Sequence, residues 1–160
     1  KQHVAFARDV LGVTLLHGDV REVEGEFDIV TCFSVLEHVQ DPGALVGTMA
    51  ALLAPGGLMV VATPNPCCIR VRLRGLGRWH ILEIPEHINI LSRRGLEDLI
   101  SSSGLRPVSY ETLSTYVDAL RTIDPPGRPL RSLFFHGLRA LGLGGDHCLT
   151  AVRPPEDAAE

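Results

Sequence analysis

Apolar residues in the first part of the chain recur at spacings that predict a helix and then a strand. Helical spacing over residues 4–11 predicts a helix that ends at Gly12. A short aliphatic run over 13–16 follows, and the continuous apolar run FDIVTCF over 27–33 comes next. Such a run is typical of a strand that is buried on both faces of a parallel sheet.

The next segment has the pattern of a strand–helix–strand unit. Asp41 and Pro42 predict an N-cap and a first helical residue, and the residues after them give the helix one apolar face. Pro55–Gly57 interrupts this helix, and a second buried strand is predicted over 58–62. Because the connections are short, we expect a right-handed crossover between parallel strands.

Residues 63–86 have no clean periodicity and are rich in proline, glycine and arginine. We expect a long excursion from the sheet, with 64–90 as the extent of this cap. Ser92 is predicted to begin another helix and Gly104 to end it. Two further strands and, between them, one helix are predicted over 107–113, 148–152 and 130–141.

Length and composition fit one α/β domain, which we expect over residues 1–154 with a disordered tail over 155–160. Of the 160 residues, 45% are hydrophobic and 21% are charged, an ordinary globular balance. The net charge of −4 indicates no nucleic-acid partner for the whole molecule. Because no apolar run approaches the ~20 residues that cross a bilayer, and because the sequence shows no signal peptide, we expect no membrane association.

The four cysteines indicate neither a metal site nor a disulfide framework. They occur singly or adjacent, without a CxxC pair: Cys32, Cys67, Cys68 and Cys148. We therefore predict reduced thiols in a cytoplasmic protein and no metal ligands.

Polar residues follow the predicted strands at three places, over 18–20, 33–38 and 63–65. Open parallel sheets bind ligands at the carboxyl ends of their strands. A carboxylate such as Asp19 can accept a hydrogen bond from an exocyclic amine while the N–H of Val20 donates to a ring nitrogen, a pair that suits adenine. The alternative is that Asp19 only caps a turn.

Four segments carry a resemblance to a known family. They are HGDV, FDIVTCFSVLEHVQDP, LLAPGGLMVVATPN and PEHINILSRRGLEDLISSSGL, in that order. Together they resemble the class I S-adenosylmethionine-dependent methyltransferases, in particular the small-molecule group that includes ubiquinone-biosynthesis O-methyltransferases and a related domain type from antibiotic and polysaccharide gene clusters. The resemblance covers Val4 to about Arg106, and the ending GDHCLTAVRP resembles the family's last, antiparallel strand. It implies a Rossmann-like, doubly wound, mostly parallel sheet.

The resemblance also implies the cofactor, S-adenosylmethionine, with S-adenosylhomocysteine as its product. Asp19 and Val20 would bind the adenine, and the end of the FDIVTCF strand would line the methionine and ribose. Glu37 would face the cleft beside His38. The implied cofactor-binding residues are Asp19, Val20, Cys32, Phe33, Ser34 and His38.

Two histidines are candidates for a catalytic base. His38 could take a proton from a substrate hydroxyl, or it could be a positioning or packing residue beside the cofactor. His87 is the other candidate, and the resemblance places it close to the substrate mouth.

The excursion carries four arginines and the tryptophan Trp79, and the resemblance implies that this segment shapes substrate choice. The arginines could clamp a phosphate or carboxylate, or they could form a solvated basic face above Trp79. We expect Arg70, Trp79 and His87 on the substrate side. The absence of a [DNS]PP[YFW] motif after the strand weakens DNA as a substrate, so a small molecule is expected.

The family pattern begins with a strand, a glycine-rich ExGxG turn, a helix and a second strand that ends in an acidic residue, and this sequence shows none of these. We therefore expect an N-terminally truncated domain. One explanation is a piece of a longer protein, and the other is a short form that serves as a binding or scaffolding module. Because a sheet without those strands exposes apolar edges, we favour a fragment or a form that pairs with another chain, such as a homo-oligomer.

The expected function of the complete domain is transfer of a methyl group from S-adenosylmethionine to a small molecule, with oxygen favoured as the acceptor. This chain alone is expected to be inactive. The alternative is a non-catalytic interaction module with the same fold. A nicotinamide-dependent dehydrogenase would share the fold but lacks a counterpart of EHVQDP and PEHINILS.

Overall fold

The computed structural model describes residues 2–79, 84–113 and 136–155. The helices that lie wholly in these ranges span Gln2–Leu11 (α1), Pro42–Ala51 (α2), Ile69–Arg74 (α3) and Arg93–Ser102 (α4). The strands span Phe27–Phe33 (β1), Leu53–Pro64 (β2), Arg106–Leu113 (β3) and Asp146–Val152 (β4). Short 3₁₀ turns occupy Val20–Glu22, Leu36–His38 and Leu76–Arg78.

The predicted helix ends are confirmed by their capping contacts. The Asp41 carboxylate accepts the N–H of Ala44 at 2.9 Å, and the Ser92 hydroxyl accepts the N–H of Gly95 at 3.1 Å. Each bond satisfies one N–H that a helix start otherwise leaves without a partner. The glycines that follow α1 and α4 have φ angles of 66° and 78°, a left-handed conformation that ends a helix readily.

The sheet has the strand order β1-β2-β4-β3. β1 and β2 are parallel, whereas β4 is antiparallel to both of its neighbours. Three strands therefore share one direction and the last strand runs against them. This arrangement confirms the predicted mostly parallel sheet with an antiparallel last strand.

The core lies on the face of the sheet that α2 and α4 cover. Cys32 pairs in register with Val61, and Val61 with Leu149, so these side chains share one face, and all three are buried. Leu96 and Ile100 of α4 are fully buried against the same cluster, as its apolar spacing predicts. This core fixes the position of the strand ends that carry the candidate site.

The prediction that β1 is buried on both faces is wrong for the structure described. The exposed fraction is 41% for Phe27, 60% for Ile29 and 55% for Phe33, and of this strand only Cys32 is buried. The reason is that β1 lies at one edge of the sheet and alternate residues face away from the helices. An apolar run predicts a strand, but its burial depends on what packs against it.

β2 begins at Leu53 and so extends across the Pro55–Gly57 turn, earlier than the predicted start at residue 58. Gly57 lies against β1: a Cβ there would stand 2.8 Å from the Ala54 carbonyl oxygen and 3.1 Å from that of Phe27. The turn is therefore structural, and a side chain at Gly57 would push the two strands apart.

Two predictions concern residues that lie partly or wholly outside the described ranges. Of the helix predicted over 130–141, residues 136–140 are described and are helical. All but the first residue of the tail predicted over 155–160 lies outside. Among the helices of the described ranges, none has the length and apolar character that a membrane span requires.

Candidate functional site

The carboxyl ends of β1 and β2 lie side by side and begin the candidate site. Phe33 pairs with Ala62, and the N–H of Ser34 donates to the Ala62 carbonyl at 2.9 Å. Ser34 has a φ of 53°, a left-handed conformation that is uncommon for a residue other than glycine. The backbone therefore bends sharply at Ser34, and the turn Leu36–His38 follows directly after it.

Glu37 differs from the expectation that it would face the cleft. Its side chain is buried, with an exposed fraction of 1%, and its Oε2 accepts the Thr63 hydroxyl at 3.0 Å. Thr63 is itself 2% exposed. A buried carboxyl group without a hydrogen-bond partner would destabilise the fold, and Thr63 provides that partner. The hydrogen bond therefore stabilises the turn Leu36–His38.

Residues at the C-terminal end of the excursion also form hydrogen bonds with the turn Leu36–His38. The N–H groups of Ile88 and Asn89 both donate to the Glu37 carbonyl, at 2.8 and 3.1 Å. The Asn89 side-chain amide donates to the carbonyls of Leu36, at 3.2 Å, and of Val39. Hydrogen bonds to backbone carbonyls therefore connect this turn to a segment about 50 residues further along the chain.

His38 has a defined ring orientation. Its Nδ1 lies 3.0 Å from the Glu86 carbonyl oxygen. Because a carbonyl oxygen only accepts, Nδ1 carries the hydrogen in this contact, and a neutral His38 has an unprotonated Nε2. Nε2 lies 4.0 Å from Oε1 of Glu37, and 42% of the His38 side chain is exposed. The imidazole can therefore accept a proton from a group in solution or from a bound molecule.

His87 lies beside His38, with ring centroids 4.6 Å apart and planes 61° from parallel. The nearest ligand atoms of Glu37, His38 and His87 all lie within 4.8 Å of one another. Two imidazoles and a carboxylate at this spacing could relay a proton or hold a divalent metal. The prediction of no metal ligands rested on the spacing of the cysteines, which carries no information about this group.

Asp19 caps the 3₁₀ turn Val20–Glu22, which is the geometry that the alternative interpretation describes. The guanidinium of Arg21 donates to both carboxylate oxygens, at 2.9 and 2.7 Å, and the backbone N–H of Arg21 also donates to this carboxylate, at 2.9 Å. These hydrogen bonds hold the pKa of Asp19 well below its usual range. Asp19 is thus an ionised acceptor at neutral pH, and a carboxylate retains further lone pairs for a ligand.

A cavity of about 430 Å³ opens beside this turn, and Leu16, His17, Asp19 and Val20 are among its lining residues. Small-molecule sites commonly measure ~300–1,000 Å³, so the cavity has room for part of a ligand. The residues expected at the adenine, Asp19 and Val20, therefore both line a cavity.

The residues at the end of β1 face two directions. The Cys32 side chain is buried in the core, and burial and then Glu37 raise its pKa to about 11. The thiol therefore does not face a cofactor at the strand end. Phe33 and Ser34 are exposed.

The excursion has the geometry of a basic face over a buried tryptophan. Trp79 is 3% exposed and packs in a small cluster with Cys68, Val71 and Ile90. Arg70 and the three other arginines of this segment are exposed. Trp79 is thus placed beneath the excursion, as the alternative interpretation describes.

Several residues that build this site were not predicted from the sequence. Thr63 and Asn89 lie in the segments that carry the resemblance, but no role was predicted for them. Glu86 contributes its backbone carbonyl, so the type of its side chain does not indicate this contact. The polar character of residues 63–65 and of PEHINILS was the available sign that these segments do more than pack.

Comparison with known proteins agrees with the fold. The family model described as "Methyltransferase domain" matches residues 3–110. A ubiquinone biosynthesis O-methyltransferase from Caulobacter sp. (strain K31) is 48% identical over 61 residues, which are 38% of this chain and 24% of that protein. The chain's match thus spans about a quarter of the curated relative's length.

Solved structures of methyltransferases have the same fold. A possible histamine N-methyltransferase from Thermotoga maritima has a TM-score of 0.65 at 18% identity, covering 96% of this chain and 69% of the other. Magnesium protoporphyrin IX methyltransferase from Synechocystis PCC 6803, crystallised with bound SAH, has a TM-score of 0.56 at 17% identity, covering 92% and 56%. Since the family model also matches more than half of the residues, the chain belongs to the class I S-adenosylmethionine-dependent methyltransferases.

Proposed function

We propose that the protein transfers a methyl group from S-adenosylmethionine to an oxygen atom of a small molecule, with His38 as the general base. The observation that carries this proposal is the 3.0 Å contact between His38 Nδ1 and the Glu86 carbonyl. It places the hydrogen on Nδ1 and leaves Nε2 as a proton acceptor on a half-exposed side chain. A hydroxyl group next to Nε2 would meet the geometric requirement for proton transfer.

The residues near the strand ends fit the cofactor at its adenine end. The cavity beside the turn Val20–Glu22 offers an ionised carboxylate, Asp19, that can accept a hydrogen bond from an exocyclic amine. The N–H of Val20, at the first position of this turn, has no partner within the turn and can donate to a ring nitrogen. Phe33 and Ser34 are exposed where β1 ends and can line the rest of the ligand. When bound, the cofactor supplies a methyl group that is already activated by the positive sulfur.

His38 would act on the acceptor. As the acceptor oxygen takes the methyl group, the methyl–sulfur bond would break and leave S-adenosylhomocysteine. The hydroxyl proton would pass to Nε2, and the His38 ring would become an imidazolium. The Glu86 carbonyl accepts from Nδ1, and Glu37 Oε1 lies 4.0 Å from Nε2, so both stabilise the positive ring. The burial of Glu37 and its bond from Thr63 keep this carboxyl group in place.

Oxygen as the acceptor is supported by the relatives, which are O-methyltransferases of ubiquinone biosynthesis. His87, 4.6 Å from the His38 ring, would contact the substrate as a second polar group. The exposed arginines of the excursion, including Arg70, suit an acceptor that carries a negative group.

The test compares single histidine variants of the protein. His38→Gln should lower kcat for methyl transfer to a phenolic acceptor by about 10²–10⁴ fold. Because this proposal assigns His38 to the acceptor and not to the cofactor, the affinity for S-adenosylhomocysteine, measured by calorimetry, should stay within about twofold. His3→Gln, on the exposed face of α1, is the matched control and should leave both quantities unchanged.

Two results would count against the proposal. If His87→Gln abolishes turnover while His38→Gln retains it, the base is His87. If neither S-adenosylmethionine nor S-adenosylhomocysteine binds the full-length protein, the interaction-module alternative replaces the enzymatic function.

A further inference from the structure

Asn89 is the residue that ties the returning chain to the turn Leu36–His38. Its side-chain amide donates to the carbonyls of Leu36, at 3.2 Å, and of Val39, while its backbone N–H donates to that of Glu37 at 3.1 Å. One residue thus takes part in hydrogen bonds with three carbonyls around the turn. Few other side chains could do this, because the geometry needs two N–H donors on a short stem.

The turn depends on such outside contacts for its orientation. It is a single 3₁₀ turn of three residues, and its N-cap residue, Val35, forms no side-chain capping bond. A short turn of this kind has little stability of its own. Its position relative to the returning chain is therefore set by the contacts with Ile88 and Asn89 and by the bond between Thr63 and Glu37.

Glu86, whose carbonyl accepts the Nδ1 hydrogen of His38, precedes Asn89 by three residues in the same returning segment. If Asn89 releases the turn, the distance between that carbonyl and Nδ1 is no longer fixed at hydrogen-bonding range. The location of the proton on the His38 ring is set by the hydrogen bond that the other nitrogen makes. The Asn89 amide therefore acts on Nε2 of His38 indirectly. It fixes the position of the turn, and that position sets the hydrogen bond between Nδ1 and the Glu86 carbonyl.

We propose that Asn89 is a positioning residue that holds the Glu86 carbonyl against Nδ1 of His38 and so keeps Nε2 unprotonated. For its effect on turnover, this inference rests on the proposed base role of His38. Its structural content does not, since the tautomer of His38 can be observed without any reaction.

The experiment measures the ring nitrogens of His38 by ¹⁵N NMR in the full-length protein, with His38→Gln used to assign the signals. The wild-type protein should show Nδ1 protonated and Nε2 unprotonated in the neutral ring. Asn89→Asp keeps the size of the side chain but replaces the amide donor with an acceptor that faces two carbonyls. We expect the His38 signals to shift towards a mixture of the two tautomers.

Kinetics give the second readout. Asn89→Asp should lower kcat by about tenfold or more and leave KM for S-adenosylmethionine within about twofold, because Asn89 is not itself among the residues expected to contact the cofactor. Asn89→Ala removes the same donors without adding repulsion and serves if the aspartate variant does not fold. Both variants should change the tautomer in the same direction.

Asn65→Ala is the matched control. The Asn65 amide also donates to two backbone carbonyls, those of Gly142 and Gly144, at 3.2 and 2.9 Å, but neither belongs to the turn Leu36–His38 or to the segment of Glu86. It should lower stability and leave the His38 nitrogen signals unchanged. A control that shifts those signals as much as Asn89→Asp would overturn the proposal, because the effect would then be a general one.

The remaining outcomes are also decisive. A wild-type His38 that is protonated at Nε2, or signals that are the same in wild type and in both Asn89 variants, would overturn the positioning role. A tautomer that changes with unaltered kcat would confirm the positioning role and refute the base role of His38. The failure of one proposal is therefore distinguishable from the failure of the other.

Discussion

His147 should make the folded state sensitive to mild acid. Its ring is fully buried in β4, between the register partners Thr63 and Thr112. Within the described part of the chain, Nε2 has no hydrogen-bond partner, and Nδ1 lies 3.4 Å from the Tyr110 hydroxyl. Burial lowers the pKa of His147 from 6.5 to about 4, because a charged ring would lose its hydration.

The sign follows from proton uptake. As the pH falls through 6.5, the unfolded chain binds a proton at His147 and the folded chain does not, so stability decreases until the pH reaches about 4. The two pKa values correspond to a loss of about 2.5 kcal/mol between pH 7.5 and pH 4.5. Above about pH 8 this histidine has no further effect on the pH dependence, because it is then neutral in both states.

His147→Leu removes the titrating ring and places an apolar side chain in the same buried position. We expect the variant to lose about 2.5 kcal/mol less stability than wild type between the two pH values. Urea denaturation followed by far-UV circular dichroism at pH 7.5 and 4.5 measures the difference, and groups that titrate in both proteins cancel. His3→Leu, exposed on α1, should behave as wild type. Equal losses in wild type and His147→Leu would show that the ring is not held neutral.

Two shorter predictions test the core and the strand contact. Because the pKa of Cys32 is raised to about 11 by burial and then by Glu37, iodoacetamide at pH 8 should alkylate the exposed Cys67 and spare Cys32, as peptide mass spectrometry would show; equal labelling of both would contradict the buried position. Gly57→Ala should destabilise the protein by more than about 1 kcal/mol, since its Cβ would lie 2.8 and 3.1 Å from carbonyl oxygens. Gly77→Ala, with nothing within 4 Å of the added Cβ, should be near neutral in the same urea titration, and equal effects would exclude the close approach.

Local signals in the sequence were sufficient for most of the elements. Asp41 and Ser92 begin helices because their side chains bond to N–H groups three residues on, a relation that involves no distant part of the chain. The apolar runs likewise predicted all four strands of the sheet. Parallel direction and the reversed last strand followed from the order of these elements and from the resemblance.

Burial and the site geometry required the path of the whole chain. Nothing in the run FDIVTCF shows that Ile29 is 60% exposed, because exposure is decided by the elements packed on it. The pairing of Glu37 with Thr63 and the hold of Asn89 on the turn join residues 26 to 53 positions apart. Sequence reasoning brought His38 and His87 forward as separate candidates, whereas the returning segment places their rings in contact.

The position of β4 has a consequence for the order of assembly. β2 and β3 are not neighbours, and each bonds to β4, so the sheet stays in two unconnected parts until residues 146–152 have been synthesised and inserted between them. β2 and β4 pair residues that are more than 80 positions apart in sequence, and such long-range pairing is slow compared with local helix formation. A ribosome-bound chain that ends before this segment would hold β1 and β2 but leave a strand-wide gap, open to chaperones or to non-native pairing. The two parts of this sheet are therefore joined only after β4 has been synthesised.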